Sequence, residues 1–284
     1  MRDTLAVSED FYETISRFYK THAGGVIGIN RAFTVDVIAD ESVKLKPIKR
    51  PDKVVFNDLF GYEVQKNRLI ENTEAFLKGL PANNVLLYGD SGTGKSTSIR
   101  ALVNEYGDEG LKLIQVYRHQ MKYLNQVIEM IRDKKYKFII YMDDLSFEDF
   151  ETEYKYLKAV IEGGLEKRPE NVLIYATSNR RNLIKETWND RNDMEHDKDI
   201  HRSDSTEEKQ SLAARFGVRI FYGKPSKEEF YSMVKALAKR EGLDISSDRL
   251  KEEANKWEIR NGGVTGRSAR QFIDYISGKE ANCQ

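Results

Sequence analysis

The chain is poor in cysteine: its one residue of that type, Cys283, sits beside the C-terminus. This excludes an internal disulfide framework and any zinc-finger spacing. The poverty fits a reducing compartment, and a cytoplasmic location is the expectation. Long apolar runs are also missing, with no stretch of about eighteen uncharged apolar residues anywhere. Asp3, Glu9, Asp10 and Glu13 interrupt the first residues, so neither a signal peptide nor a membrane span is expected. Charge of one sign is absent as well. Lys and Arg number 46 and Asp and Glu number 46, so any contact with nucleic acid or a membrane surface requires a local patch. There is no internal repeat and no low-complexity tract. At 284 residues, the chain exceeds one average domain and predicts a main domain with smaller elements attached.

What is present is dominated by Gly89-Asp90-Ser91-Gly92-Thr93-Gly94-Lys95-Ser96, which reads G-x-x-x-x-G-K-S directly after the apolar run Val85-Leu86-Leu87-Tyr88. A strand delivers the loop, and the breaker-free stretch from Thr97 to Val103 carries it into a helix. Glycines allow backbone amides to turn inward around an anionic phosphate without a side chain in the way. The pattern therefore predicts a nucleotide phosphate site from Asp90 to Thr97. Lys95 would place a point charge on the β- and γ-phosphates, and the Ser96 hydroxyl would ligate a magnesium ion.

Around this loop the chain alternates apolar strands with helical stretches. Strands are predicted at 111–116, 138–142, 172–176 and 218–222, and helices at 57–80, 120–132 and 150–162, a pattern that specifies a parallel sheet covered on both faces. Val64, Leu69, Ile70, Thr73, Phe76 and Leu77 are the expected buried stripe of the first of these helices. Further helices at 227–241, 247–259 and 268–277 form a small C-terminal bundle. Upstream, 8–20 reads as an amphipathic helix capped by Ser8, and 26–40 as a β-rich separate element. The basic segment from Lys44 to Pro51 reads as a solvated linker.

The second half of a phosphoryl-transfer site needs an acidic residue at the carboxyl end of a parallel strand. Phe138-Ile139-Ile140-Tyr141-Met142-Asp143-Asp144 supplies it, with Asp143 expected to hold the magnesium ion and Asp144 to polarise the attacking water. With these residues in place the chain resembles the AAA+ ATPases over about 54–276. Ala176-Thr177-Ser178-Asn179 is similar to that family's sensor 1 segment, which implies that Asn179 orients water near the γ-phosphate. Leu212-Ala213-Ala214-Arg215-Phe216-Gly217 resembles the arginine-finger segment, which implies that Arg215 reaches the nucleotide of an adjacent subunit, with Arg219 as the competing candidate. Gly263 to Arg270 is similar to the sensor 2 motif, with Arg267 as first choice and Arg270 as second. Val55 to Gly61 resembles the adenine-side loop, placing Leu59, Phe60 and Gly61 near the base. The strings from Asp143 to Glu148 and from Gly266 to Phe272, with the N-terminal extension, narrow the resemblance to a bacterial AAA+-like family of ATP-binding proteins of unknown function.

The resemblance implies an α/β P-loop NTPase fold with a parallel five-stranded sheet, a C-terminal helical lid over 224–284, a nucleotide-binding domain over 53–223 and an extension over 1–52. ATP or ADP with Mg2+ is the implied cofactor, self-association through the Arg215 face the implied assembly, and a protein or DNA the implied further partner. One departure stands out. AAA+ proteins usually carry glutamate where Asp144 stands, and a carboxylate one methylene shorter predicts slow hydrolysis, because an offset of about an ångström costs on the order of a hundredfold; Glu148 lies nearby in sequence. His196 and His201 lie in a charged stretch, 186–209, without compact ligand spacing, so it reads as an exposed loop rather than a metal site. Tyr117, Tyr123, Tyr136, Tyr141, Tyr154 and Tyr156 read as core or core-edge residues. Tyr154-Lys155-Tyr156-Leu157-Lys158 reads as a solvated helix face, with DNA contact as the competing assignment. Three functions remain: an AAA+ ATPase, a nucleotide-gated loader with little turnover, and a small-molecule kinase, for which no acceptor pocket is readable.

Overall fold

The computed structural model describes residues 25–145, 153–162, 169–179 and 212–281. After a single helical turn, α1 (Val26–Ile29), strands β1 (Ala32–Val37) and β2 (Val43–Pro47) form an antiparallel pair. Then follow α2 (Glu63–Leu77), β3 (Val85–Gly89), α3 (Lys95–Tyr106), β4 (Leu111–Gln115), α4 (Leu124–Ile131), β5 (Lys137–Met142), α5 (Glu153–Glu162), β6 (Val172–Ser178) and β7 (Val218–Tyr222). Helices α6 (Lys227–Arg240), α7 (Ser247–Asn261) and α8 (Gly266–Ala281) complete the described chain. The predicted helix over 8–20 and the stretch 186–209 lie outside the described residues.

The sheet has seven strands in the order β2-β1-β4-β5-β6-β3-β7. The five strands from β4 to β7 are mutually parallel, as expected of the nucleotide-binding sheet. Two more extend it. Ala32, Phe33 and Thr34 pair in parallel with Leu113, Ile114 and Gln115, so this part of the N-terminal extension is built into the sheet edge. Val43 to Pro47, expected as linker from Lys44 on, is a strand because its alternating apolar and lysine side chains suit a half-covered edge beside β1.

Period-two alternation divides the core. Phe138, Ile140 and Met142 of β5 face the layer of α4 and α5, while Ile139 and Tyr141 face the layer of α2 and α3. All residues of the central strand β6 are buried, as befits a strand covered on both faces. Helix α2 starts only at Glu63, because Gly61 and Tyr62 turn with φ of 80° and 59°. Its buried face is Lys66, Leu69, Thr73 and Phe76. Val64 points to solvent at 70% exposure, contrary to its expected place in the stripe, because it lies on the opposite side of that face.

The helices α6 to α8 enclose a separate small core around Phe230, Val234, Ala254, Phe272 and Ile273. Ser226 opens α6 with a reciprocal cap, its hydroxyl accepting from Glu229 N (3.1 Å) and its own N donating to the Glu229 carboxylate (2.7 Å). Phe60 and Tyr62, from the loop before α2, pack into this core. Tyr62 also donates to the carbonyl of Gly223 (2.8 Å), tying the loop to the start of the bundle. Among the described residues, no helix is long and apolar enough to cross a membrane.

Candidate functional site

Strands β3, β5 and β6 lie side by side, and their carboxyl ends carry the turn at Gly89, the aspartates after Met142 and Asn179. The turn after β3 depends on glycine. Gly89, Gly92 and Gly94 adopt φ of 129°, 76° and 95°, which other residues reach only with strain. At Gly89 a Cβ would also lie 2.2 Å from the carbonyl oxygen of Tyr222. The result is a concave turn that ends where α3 begins, the geometry of an anion cradle at a helix N-terminus.

Beneath this turn, Lys95 is buried and donates to the carbonyls of Gly89 (3.1 Å) and Asp90 (2.6 Å), with no carboxylate bound directly among the described residues. Burial lowers its pKa to about 8, against the opposing pull of Asp90, Asp144 and Asp143, and nearby Arg267 adds to the fall. Ser96 Oγ donates to Asp143 Oδ1 (2.7 Å), and Thr177 Oγ1 donates to the same oxygen (2.7 Å). Burial pushes the Asp143 carboxyl up, but the Ser96 and Thr177 hydroxyls that donate to it, with the neighbouring Tyr141 phenol and Arg100 guanidinium, hold it below its usual range. Arg100 Nη2 lies 3.9 Å from Asp143. Ser96 and Asp143 thus form an oxygen donor pair of the type magnesium takes.

Asp144 sits in a left-handed conformation, φ 52°, held by its N donating to Thr177 Oγ1 (2.9 Å). Its carboxylate accepts from Asn179 Nδ2 (2.6 Å). The two residues expected near the γ-phosphate therefore meet, linked across β5 and β6. Ser146 to Phe150, including Glu148, lie outside the described residues.

Helices α6 and α8 border a cavity of about 920 Å3. Leu59, Phe60, Gly61 and the turn from Ser91 to Thr97 line it, together with Asp143, Asp144, Asn179 and Arg267. Arg267 N donates to the carbonyl of Gly92 (3.1 Å), so the first turn of α8 rests on the phosphate turn. The Arg267 side chain has no ion pair among the described residues. Arg270 differs: it binds Glu241 (2.8 Å) and Asp274 (3.1 Å) within the lid, which leaves Arg267 the freer cation. Asp90 turns away, its carboxylate accepting from Lys224 N (3.0 Å). Arg215 is outside this cavity and pairs with Glu162 of α5. Arg219 is exposed on β7.

Some contributors had no visible signal in sequence. Arg240, from the end of α6, binds Asp58 (2.7 Å) and lies over the Phe60 ring (5.8 Å), and Met233 and Leu237 line the same end of the cavity. Arg100 was findable, since it follows Ser96 by four positions and so shares its helix face. Among the described residues no group of three or more His, Cys, Asp or Glu side chains is placed to hold a metal ion; His196 and His201 lie outside them.

A parallel sheet with this glycine turn, an acidic strand end beside it and a helical lid defines a P-loop protein of the AAA+ type. The chain belongs to the family described as "Protein of unknown function (DUF815)", which matches residues 30–280. It is also 35% identical over 112 residues to the 26S proteasome regulatory subunit 6B homolog of Schizosaccharomyces pombe, a match covering 35% of this chain and 28% of that protein.

Proposed function

We propose that this protein binds ATP with magnesium between the sheet and the lid and hydrolyses it, turnover being coupled to movement of the lid or of an adjacent copy. The observation that carries the reading is the 2.7 Å bond between Ser96 and Asp143 at the mouth of a glycine turn that encloses Lys95. In this reading the amides from Ser91 to Thr97 and the Lys95 ammonium hold the β- and γ-phosphates. Ser96 and Asp143 hold the magnesium ion, which supplies countercharge to the phosphates when bound. Asp144, oriented by Asn179, positions the attacking water, and Arg267 brings the lid against the phosphates. Leu59, Phe60 and Gly61 receive the base. Arg215, paired with Glu162 in the single chain, serves the site of a second copy, so the assembled form hydrolyses faster. A cytoplasmic location and remodelling or assembly of a partner belong to the same proposal.

A second reading is favoured by one observation. The Asp144 carboxylate is already committed to Asn179, and a nucleotide-gated loader of a DNA-processing complex would need that site to bind rather than turn over. Calorimetric titration of ATP and Mg2+ into the natural chain and Lys95→Ala tests both. Binding that Lys95→Ala abolishes supports the shared site, and equal binding by the two chains removes it.

A further inference from the structure

Three large tyrosines are buried in the layer between the sheet and helices α2 and α3: Tyr141, Tyr175 and Tyr222. Two have their hydroxyls satisfied within the core. Tyr175 Oη meets Thr73 Oγ1 and Asn72 Nδ2, each at 2.9 Å, and Tyr222 Oη donates to Ser98 Oγ (3.1 Å). Tyr141 is different: it is 2% exposed, and its hydroxyl, though close to the Ser96 and Asp143 oxygens, forms no well-aligned hydrogen bond among the described residues. A buried hydroxyl left unpaired is destabilising, and a phenylalanine would fill the same volume without that cost.

The position of this hydroxyl offers it a partner from outside the core. Tyr141 lies on β5 and Asp143 two positions on, just past its end, so both point to the same side of the sheet. Oη lies beside Ser96 and Asp143, with Arg100 also near, so the unpaired donor faces the oxygens that would hold the cation. Ser96 and Thr177 already donate to Asp143 Oδ1 and Arg100 faces Oδ2 (3.9 Å), so an incoming ligand is the natural partner for the tyrosine. Cations of the magnesium type keep several of their waters when bound, and groups just outside the ligands orient them.

We propose that Tyr141 is a positioning residue for the cation of the nucleotide site, its hydroxyl donating a hydrogen bond to a water that the bound ion carries. The inference rests on the nucleotide and magnesium reading above. It makes the strand before the aspartates part of the site, although its residues look like core in the sequence. It also gives the tyrosine a task that hydrophobic packing cannot perform.

The test measures Mn2+ binding to the full chain with saturating ADP by electron paramagnetic resonance, alongside thermal unfolding without metal. It compares the natural chain, Tyr141→Phe and Tyr175→Phe. Tyr141→Phe is expected to need on the order of tenfold more Mn2+ for half-saturation, with a metal-free midpoint unchanged or raised. Tyr175→Phe is expected to lower the midpoint and leave the Mn2+ titration unchanged. Equal Mn2+ half-saturation in the natural chain and Tyr141→Phe overturns the inference while leaving the site itself in place. A lowered metal-free midpoint in Tyr141→Phe also overturns it, by assigning the hydroxyl to the core. Failure of the natural chain to bind Mn2+ with ADP removes the underlying reading and this inference with it.

Discussion

Asn179 Nδ2 donates a 2.6 Å hydrogen bond to Asp144 Oδ1, joining the ends of β6 and β5; in the proposed function this is where the γ-phosphate sits. The shorter carboxylate at this position is thus oriented by an amide rather than left loose. Replacing Asn179 by alanine removes the orienting donor while leaving the glycine turn and Lys95 intact. Nucleotide affinity should stay within about twofold, and turnover should fall on the order of a hundredfold, the cost of a misplaced reacting group. Single-turnover phosphate release beside equilibrium binding separates these effects. A matching loss of affinity would make Asn179 a structural residue.

Lys95 gives a pH dependence with a definite sign. Its pKa is lowered from 10.5 to about 8 by burial, whereas phosphate binding favours the ammonium form. Binding above pH 8 must therefore take up a proton, and affinity should fall as pH rises through that value, by at most about tenfold per unit. For folding, the unfolded chain binds the extra proton between about 8 and 10.5, so the cost of burying Lys95 is full below pH 8 and relieved as pH rises. Calorimetry at pH 8.5 in buffers of different ionisation enthalpy should report the uptake. Its absence would contradict the assignment.

The Arg240 to Asp58 pair bridges the lid to the base-side loop at 2.7 Å, each side chain about a third exposed. Exposed pairs contribute about 0.2–1 kcal/mol, and the cation over Phe60 adds a similar amount. Arg240→Ala should weaken nucleotide binding by about two- to fivefold, with the difference shrinking at high salt. The swap Asp58→Arg with Arg240→Asp should recover part of it. No recovery would mean that Arg240 acts through packing alone.

Gly89→Ala tests the turn itself. The new Cβ would meet the Tyr222 carbonyl at 2.2 Å, with φ at 129°, where β3 pairs with β7. A strained backbone position costs about 1–3 kcal/mol, and the clash should carry the loss to the upper end. The thermal midpoint should drop by several degrees. Gly79→Ala, with no atom near its Cβ, meets only the strain of its φ of 72° and should lose less.

Much of the fold was readable because hydrophobic period and glycine spacing are local. The run from Val85 to Ser96 places strand, turn and helix in order, and the apolar runs at 138–142 and 172–176 read as strands, which the structure shows at Lys137–Met142 and Val172–Ser178. Register with the extension was not local. Whether Phe33 pairs with Ile114 depends on residues about eighty positions apart, so β1 and β2 read as a separate piece. The site divides in the same way. Lys95, Ser96, Asp143 and Asn179 announce themselves by position after strands, but Arg240 and Asp58 meet only because the lid folds back. Tyr141 was visible yet ambiguous, since an aromatic inside a strand reads as core until its hydroxyl is seen to lack a partner.

The central claim is best tested by steady-state phosphate release from ATP and Mg2+ across protein concentrations. The comparison is between the natural chain, Asp144→Glu, Arg215→Ala and Lys95→Ala. Turnover per chain should rise with concentration in the natural chain, rise less in Arg215→Ala and be absent in Lys95→Ala. No turnover at any concentration, with release restored by Asp144→Glu, would contradict hydrolysis as the natural role and leave ATP as a conformational ligand.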